Sequence, residues 1–187
     1  MNSYIRQLVS IIRYPKLFLF AKKIGKNIRL GPNGRVIRPS EISLGDNIYL
    51  APNFHISARN LRIGNNILIG PNLLLECDDH VFSNVGKTIW STYLKERTIG
   101  FVTIEDDVWI GGNVTILKNV TIGEGSIIGA ASVVTKSLPP YSICLGIPCR
   151  PVKARFNSGD LTSHLSLTHS EYLPETIISL WNKNGIK

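Results

Sequence analysis

Residues 104–135 read IEDDVWIGGNVTILKNVTIGEGSIIGAASVVT. Ile104, Ile110, Ile116, Ile122, Ile128 and Val134 recur in it every six residues without a break. An α-helix cannot hold that period on one face, because 3.6 residues per turn rotate each successive side chain by about 240°. The next residue is frequently small or acidic, as at Glu105, Gly111, Gly123 and Gly129. Short strands separated by turns at every hexad satisfy the pattern, with Gly and Asn supplying the turn conformations. Three hexads close a triangular coil of about 18 residues, and coils stack ~4.8 Å apart like neighbouring strands of a parallel sheet.

Toward the N-terminus the period continues through Ile63, Ile69 and Leu75, through Leu44, Leu50 and Ile56, and through Ile24, Leu30, Val36 and Ile42. Two short slips, between 42 and 44 and between 56 and 63, separate these blocks. The period is lost from 76 to 103, where Glu76, Asp78, Asp79, His80, Trp90, Tyr93, Lys95, Glu96 and Arg97 cluster. Insertions in a solenoid project from one face, often the binding face, so the chemistry is expected there. The expected domain organisation is an amphipathic segment over 1–23, a solenoid over 24–154 with its excursion at 76–103, and a tail over 155–187.

The flanks follow other rules. Ile5, Leu8, Val9 and Ile12 recur at helical spacing before Pro15, which predicts a short amphipathic helix over 2–13. Its apolar stripe is expected to cover the open end of the solenoid, with membrane contact as the alternative. A terminal helix started by Pro174 is expected over 175–181.

The chain has 187 residues, 43% hydrophobic and 18% charged, which bounds it to one ordered domain with small appendages. Cys77, Cys144 and Cys149 are odd in number and lack ligand spacing, so a disulfide framework and a zinc site are not expected and a reducing compartment fits. The apolar stretches 8–12 and 17–21 are interrupted by Arg13, Pro15 and Lys16, far short of the ~20 residues of a membrane span. They do not form a secretory leader either. The net charge of +8 is local: residues 1–40 carry nine basic residues and no acid. Such a head suits an anionic membrane surface or a solvated face. Nucleic acid is not expected as a partner, because no recognition motif accompanies the charge.

The motifs Asp79-His80, Val108-Trp109-Ile110-Gly111-Gly112, Val120-Thr121-Ile122-Gly123, 128–136 (IGAASVVTK) and 146–150 (GIPCR) carry a resemblance. Over residues 44–154 the chain resembles the hexapeptide-repeat acyltransferases, in the branch of the galactoside and maltose O-acetyltransferases. The resemblance implies an all-β fold, a left-handed parallel β-helix with a protruding loop, a short N-terminal helix and a C-terminal helical tail. It also implies a cytoplasmic homotrimer with acetyl-CoA bound between neighbours, transferring acetyl to a saccharide hydroxyl, in a polysaccharide precursor for example. By the same resemblance His80 is the general base. Trp109, Gly112, Ala130, Thr135, Lys136, Arg150 and Lys153 hold acetyl-CoA, Asn53 and Asp79 contact the acceptor, and no metal is implied.

These roles have physical warrants. Acyl transfer to a hydroxyl needs a proton removed as oxygen attacks, which an imidazole can do near neutral pH. An indole offers a flat apolar wall, and cations suit phosphate. The orienter of His80 stays open among Glu76, Asp78, Asp79 and a backbone carbonyl. The Gly111-Gly112 amides are candidate oxyanion donors. Departures from the family pattern are Leu117-Lys118-Asn119 in place of a Pro-Gly turn, Ala131 in place of Gly, and a longer excursion, which leaves the acceptor open. The alternatives are an N-acetyltransferase of an amino sugar or antibiotic and a non-enzymatic surface-binding solenoid. A metal-dependent anhydrase on this scaffold needs three histidines, and the repeats hold only His55 and His80.

Overall fold

The computed structural model describes residues 3–57, 59–93 and 97–186, so Lys95 and Glu96 of the excursion lie outside the described residues. The chain winds as a left-handed parallel β-helix of about six turns. The first coil holds β1 (Ile28–Leu30), β2 (Arg35–Ile37) and β3 (Ile42–Leu44). The second holds β4 (Ile48–Leu50), β5 (His55–Ser57) and β6 (Leu61–Ile63). In the third, β7 (Ile67–Ile69) and β8 (Leu74–Glu76) are followed by the excursion, which contains β9 (Asp78–His80), α3 (Ile89–Thr92) and β10 (Arg97–Ile99). β11 (Val102–Ile104) then completes the coil. The fourth is β12 (Trp109–Ile110), β13 (Thr115–Ile116) and β14 (Val120–Ile122), and the fifth begins with β15 (Ile127–Ile128) and β16 (Val133–Val134). β17 (Ser142–Leu145) opens the sixth, and β18 (Arg150–Ala154) folds back on it antiparallel.

Each face of the prism is one parallel sheet. The first face stacks β1-β4-β7-β12-β15-β17, the second β2-β5-β8-β13-β16, and the third β3-β6-β11-β14. Leu30, Leu50, Ile69, Ile110, Ile128 and Cys144 form one interior rank in register. The spacing along that rank explains the slips. The first two steps span 20 and 19 residues and the step from Ile110 to Ile128 spans 18, so the extra residues enlarge a turn without leaving the register. Ile104, Ile110, Ile116 and Ile122 are fully buried, each contributing ~1.5–3 kcal/mol of transfer free energy.

The turns are ladders of left-handed residues. Asn27, Asn47, Asn66 and Asp107 stack at one corner with φ of 56° to 59°, a region Asn and Asp enter more readily than other side chains. Their amides join coil to coil, Asn27 Nδ2 donating to Asn47 Oδ1 and Asn47 Nδ2 to Asn66 Oδ1, each at 2.9 Å.

The N-terminal end corrects one expectation. α1 (Ser3–Arg13) forms as predicted, but its polar stripe, not its apolar one, faces the solenoid. Ser10 is buried and its Oγ accepts from Leu30 N–H at 2.9 Å. Gln7 Oε1 accepts from Asn27 N–H at 2.7 Å, and Arg13 donates to the Leu30 carbonyl at 2.9 Å. The reason is that β1 is a sheet edge with unpaired backbone groups, which need polar partners. The apolar plug comes instead from α2 (Pro15–Phe20), whose Leu17 is buried in the core while Phe18 packs partly against it.

At the other end the tail forms two helices, α4 (Ser158–Thr168) and the expected α5 (Pro174–Lys183). They bury Leu161, Leu165, Ile177 and Trp181 with Tyr141 in a second small core. Trp181 Nε1 donates to the Pro140 carbonyl at 2.9 Å.

Candidate active site

The excursion leaves the solenoid as a two-stranded hairpin, β9 antiparallel to β10, with His80 opposite Arg97 and Asp78 opposite Ile99. Its base is fixed by Asp78, whose nearly buried side chain meets Arg38 at 3.3 Å and Arg59 at 3.4 Å. The hairpin thereby holds His80 out from the prism. The imidazole is exposed, and its ring centroid lies 5.9 Å from that of Tyr93, which stacks on Trp90 at 4.8 Å. Asp79 points to Lys118, with Oδ2 2.8 Å from Nζ.

At Asp79, the residue before His80, opens a cleft of about 450 Å³ lined by Glu76, Asp79, Leu117, Lys118, Asn119, Thr135, Lys136 and Ser137. His80 is not one of its lining residues, and its ring lies toward Tyr93 instead. Three residues assigned from sequence, Asp79, Thr135 and Lys136, are therefore brought together. Lys118, which the sequence marks only as a change of turn chemistry, also lines the cleft and pairs with Asp79. The two residues are far apart in the chain, so spacing carries no signal of their pairing.

The other cofactor candidates sit on the adjacent face. Trp109, 55% exposed, stands in an outward rank that runs Trp109, Ile127, Ile143, Lys153 across four strands. This is an apolar wall about three strand spacings, or ~14 Å, long and ending in a cation. Gly112 and the exposed Ala130 lie at the corner between the two faces. Gly111 is required there, since a Cβ would stand 2.6 Å from the Ala130 nitrogen of the next coil. Its amide already donates to the Ile128 carbonyl at 2.8 Å, which removes it as an oxyanion donor. Arg150 is exposed, with one guanidinium nitrogen on the Cys149 carbonyl. Asn53 is not at the cleft: it is a left-handed corner residue of the second coil, φ 65°.

Both acids next to His80 are engaged, Asp78 by two arginines and Asp79 by Lys118. The three cysteines are free and buried, and burial pushes the Cys77 thiol up to about 11 and the Cys144 thiol up to about 12. They are not nucleophiles.

A larger groove, about 800 Å³, separates the third face from the C-terminal helices. Three of its acids are internally committed. Glu105 accepts from Tyr172 Oη at 2.8 Å, Glu124 from Tyr141 Oη at 2.6 Å, and Asp107 pairs with Arg155 at 2.7 Å. Burial, and then these carboxylates, push both phenols up. The network attaches the tail to the solenoid, and the cleft at Asp79, with the imidazole of the next residue, remains the candidate active site.

Comparison with known proteins agrees with this architecture. Residues 101–136 match the family described as bacterial transferase hexapeptide (six repeats). The galactoside O-acetyltransferase of Escherichia coli K12 is 36% identical over 131 residues, 66% of this chain and 62% of that protein. The chain thus spans less than two thirds of that curated relative. A maltose O-acetyltransferase structure from Clostridium difficile 630 superposes with a TM-score of 0.69 at 30% identity, covering 78% of this chain and 75% of that one. A galactoside acetyltransferase solved in complex with coenzyme A gives 0.67 at 32% identity, over 80% and 72%. With three quarters of a solved relative matched, and the unbroken rungs from 104 to 134 inside the matched repeat, the chain belongs to the hexapeptide-repeat acyltransferase family.

Proposed function

We propose that the protein is an acetyl-CoA-dependent O-acetyltransferase acting on a saccharide hydroxyl, in a polysaccharide precursor for instance. The observation that carries this reading is the cleft that gathers Asp79, next to His80, with Lys118, Thr135 and Lys136. His80 takes the hydroxyl proton as the oxygen attacks the thioester carbonyl. The C–S bond then breaks, the proton passes to the departing sulfur, and an acetyl ester and free CoA result.

Trp109 and its apolar rank serve the pantetheine arm, with Gly112 and Ala130 giving close backbone approach. Thr135, Lys136, Arg150 and Lys153 serve the phosphate-bearing end, where cations make the stronger, charge-assisted bonds. Asp79 is the acceptor contact in this reading, and Asn53, away from the cleft, is given no part in it. The donor wall and the cleft occupy adjacent faces of one chain, which favours a homotrimer in which one protomer's wall meets its neighbour's His80. Residues 24–154 carry the catalysis, 155–187 are a structural attachment beside the third face, and 1–23 with the basic residues up to 40 face an anionic membrane surface. In this reading the protein is cytoplasmic and peripheral at the inner membrane face.

The test is transfer of labelled acetyl from acetyl-CoA to a panel of sugars, amino sugars, antibiotics and serine, beside calorimetric titration with CoA. Transfer to sugar hydroxyls together with CoA binding supports the reading. Transfer only to amines replaces the acceptor class, and absence of CoA binding rejects the enzyme.

A further inference from the structure

The face that α1 turns away from the solenoid is apolar and has no partner among the described residues. Tyr4, Ile5, Leu8 and Ile12 are 50% to 83% exposed, and α2 adds Leu19 at 75% and Phe20 at 61%. On a helical projection this apolar arc is centred about 180° from Ser10, which is 1% exposed. The stripe is held outward by the bonds of Gln7, Ser10 and Arg13 to the first coil. Arg6, on the polar side of α1, and Lys16, Lys22 and Lys23, which follow it in the chain, are all exposed and none is ion-paired among the described residues.

We propose that α1 and the end of α2 lie in the interfacial layer of an anionic lipid bilayer. The apolar arc sits at the headgroup–acyl boundary and the cations meet headgroup phosphates. This deepens the membrane contact named in the proposed function. Charge complementarity selects lipid as the occupant: residues 1–40 hold nine cations and no acid, so two copies of this face would set like charges against each other. A helix with one strongly apolar side and basic flanks binds in the plane of such a surface, by buried apolar area and by attraction to anionic lipid. The third coil, from which the His80 hairpin leaves, is two coil spacings or ~10 Å beyond the first, and α1 adds its own diameter of ~10 Å, so a saccharide must extend ~20 Å from the headgroups to reach that level.

The test is co-sedimentation of the full chain with phosphatidylcholine vesicles containing or lacking phosphatidylglycerol, for the wild type, the double variant Leu8→Asp/Ile12→Asp, and Leu19→Ser/Phe20→Ser. The wild type should partition to the anionic vesicles at least about tenfold more strongly than to the neutral ones. Each double variant should lose at least about tenfold of that partition. Elution volume and thermal midpoint should stay as in the wild type. The proposal is overturned by a wild type that ignores vesicles or binds both kinds equally, or by variants that bind undiminished. It is also overturned by a variant that elutes as a smaller assembly, which would mean that a second copy covers the face. Vesicle binding is read without acetyl-CoA, and transfer to a water-soluble acceptor without vesicles, so failure of either reading is seen separately.

Discussion

Replacing His80 with alanine removes the group assigned to proton transfer and little else. The imidazole is exposed, its ring neighbour is Tyr93 at 5.9 Å, and the two acids before it are held by Arg38, Arg59 and Lys118. No buried donor or acceptor is left unmatched, so the change in stability should stay within about 0.5 kcal/mol. A positioned general base is worth ~10²–10⁴ in rate, or ~2.7–5.4 kcal/mol of activation free energy at 1.36 kcal/mol per decade. The two magnitudes are far enough apart to distinguish a catalytic loss from a folding loss. The assay is release of the CoA thiol, followed with a thiol-reactive chromophore. Cys77, Cys144 and Cys149 are buried, with their thiols pushed up by burial, so the folded protein adds little background. kcat should fall at least about a hundredfold with the CoA affinity and thermal midpoint unchanged, because the imidazole acts in the transition state. Turnover within about threefold of wild type would remove His80 from the mechanism.

Lys136→Ala and Arg150→Ala should each weaken CoA about tenfold by calorimetry, the loss of one charge-assisted contact; unchanged affinity in both rejects their assignment. Leu17→Ala, at the buried plug, should cost ~2–5 kcal/mol in denaturant unfolding, whereas Leu19→Ala, 75% exposed, should cost nothing measurable. Equal effects would contradict the described end cap. The raised thiols of Cys77 and Cys144 contribute stability that is complete below their ordinary 9.0 and disappears as pH rises through about 11 and about 12. The raised phenols of Tyr141 and Tyr172 act in the same direction. The thermal midpoint should therefore drop between about pH 9 and about pH 11, and a flat profile there would refute the burial of these groups.

The solenoid was legible because its rungs are a one-dimensional code. Ile104, Ile110, Ile116 and Ile122 sit one per hexad, and each is fully buried. The slips of two and one were legible too, since each lengthens a coil without breaking the rank through Leu30, Leu50 and Ile69. α4 was missed although Asn157 and Asp160 mark its start. The Asn157 side chain accepts from Asp160 N–H at 2.9 Å, and Leu161 and Leu165 follow on one face. The partnership of Lys118 with Asp79 was not legible, because the two residues are brought together only by coil stacking and the placement of the hairpin. Similarly, the free amide predicted at Gly111 is consumed by the next coil, which spacing alone does not reveal.

The orientation of α1 is the instructive failure. A strong helical stripe tells which side is apolar, and the usual inference is that this side meets the protein. That inference assumes that the surface to be covered is itself apolar. The first coil of a β-helix offers something else, a strand edge whose Leu30 N–H and C=O and Asn27 N–H have no preceding coil to pair with. An unpaired buried backbone group costs on the order of 1–3 kcal/mol, so Gln7, Ser10 and Arg13 are drawn inward by polarity. Geometry then forces Ile5, Leu8 and Ile12 outward, since they occupy the opposite side of the same turns. The apolar interior beneath the edge is closed by a separate short helix with one committed leucine, Leu17. Hydrophobic periodicity thus identifies the helix, while the polar demand of a sheet edge decides which way it faces.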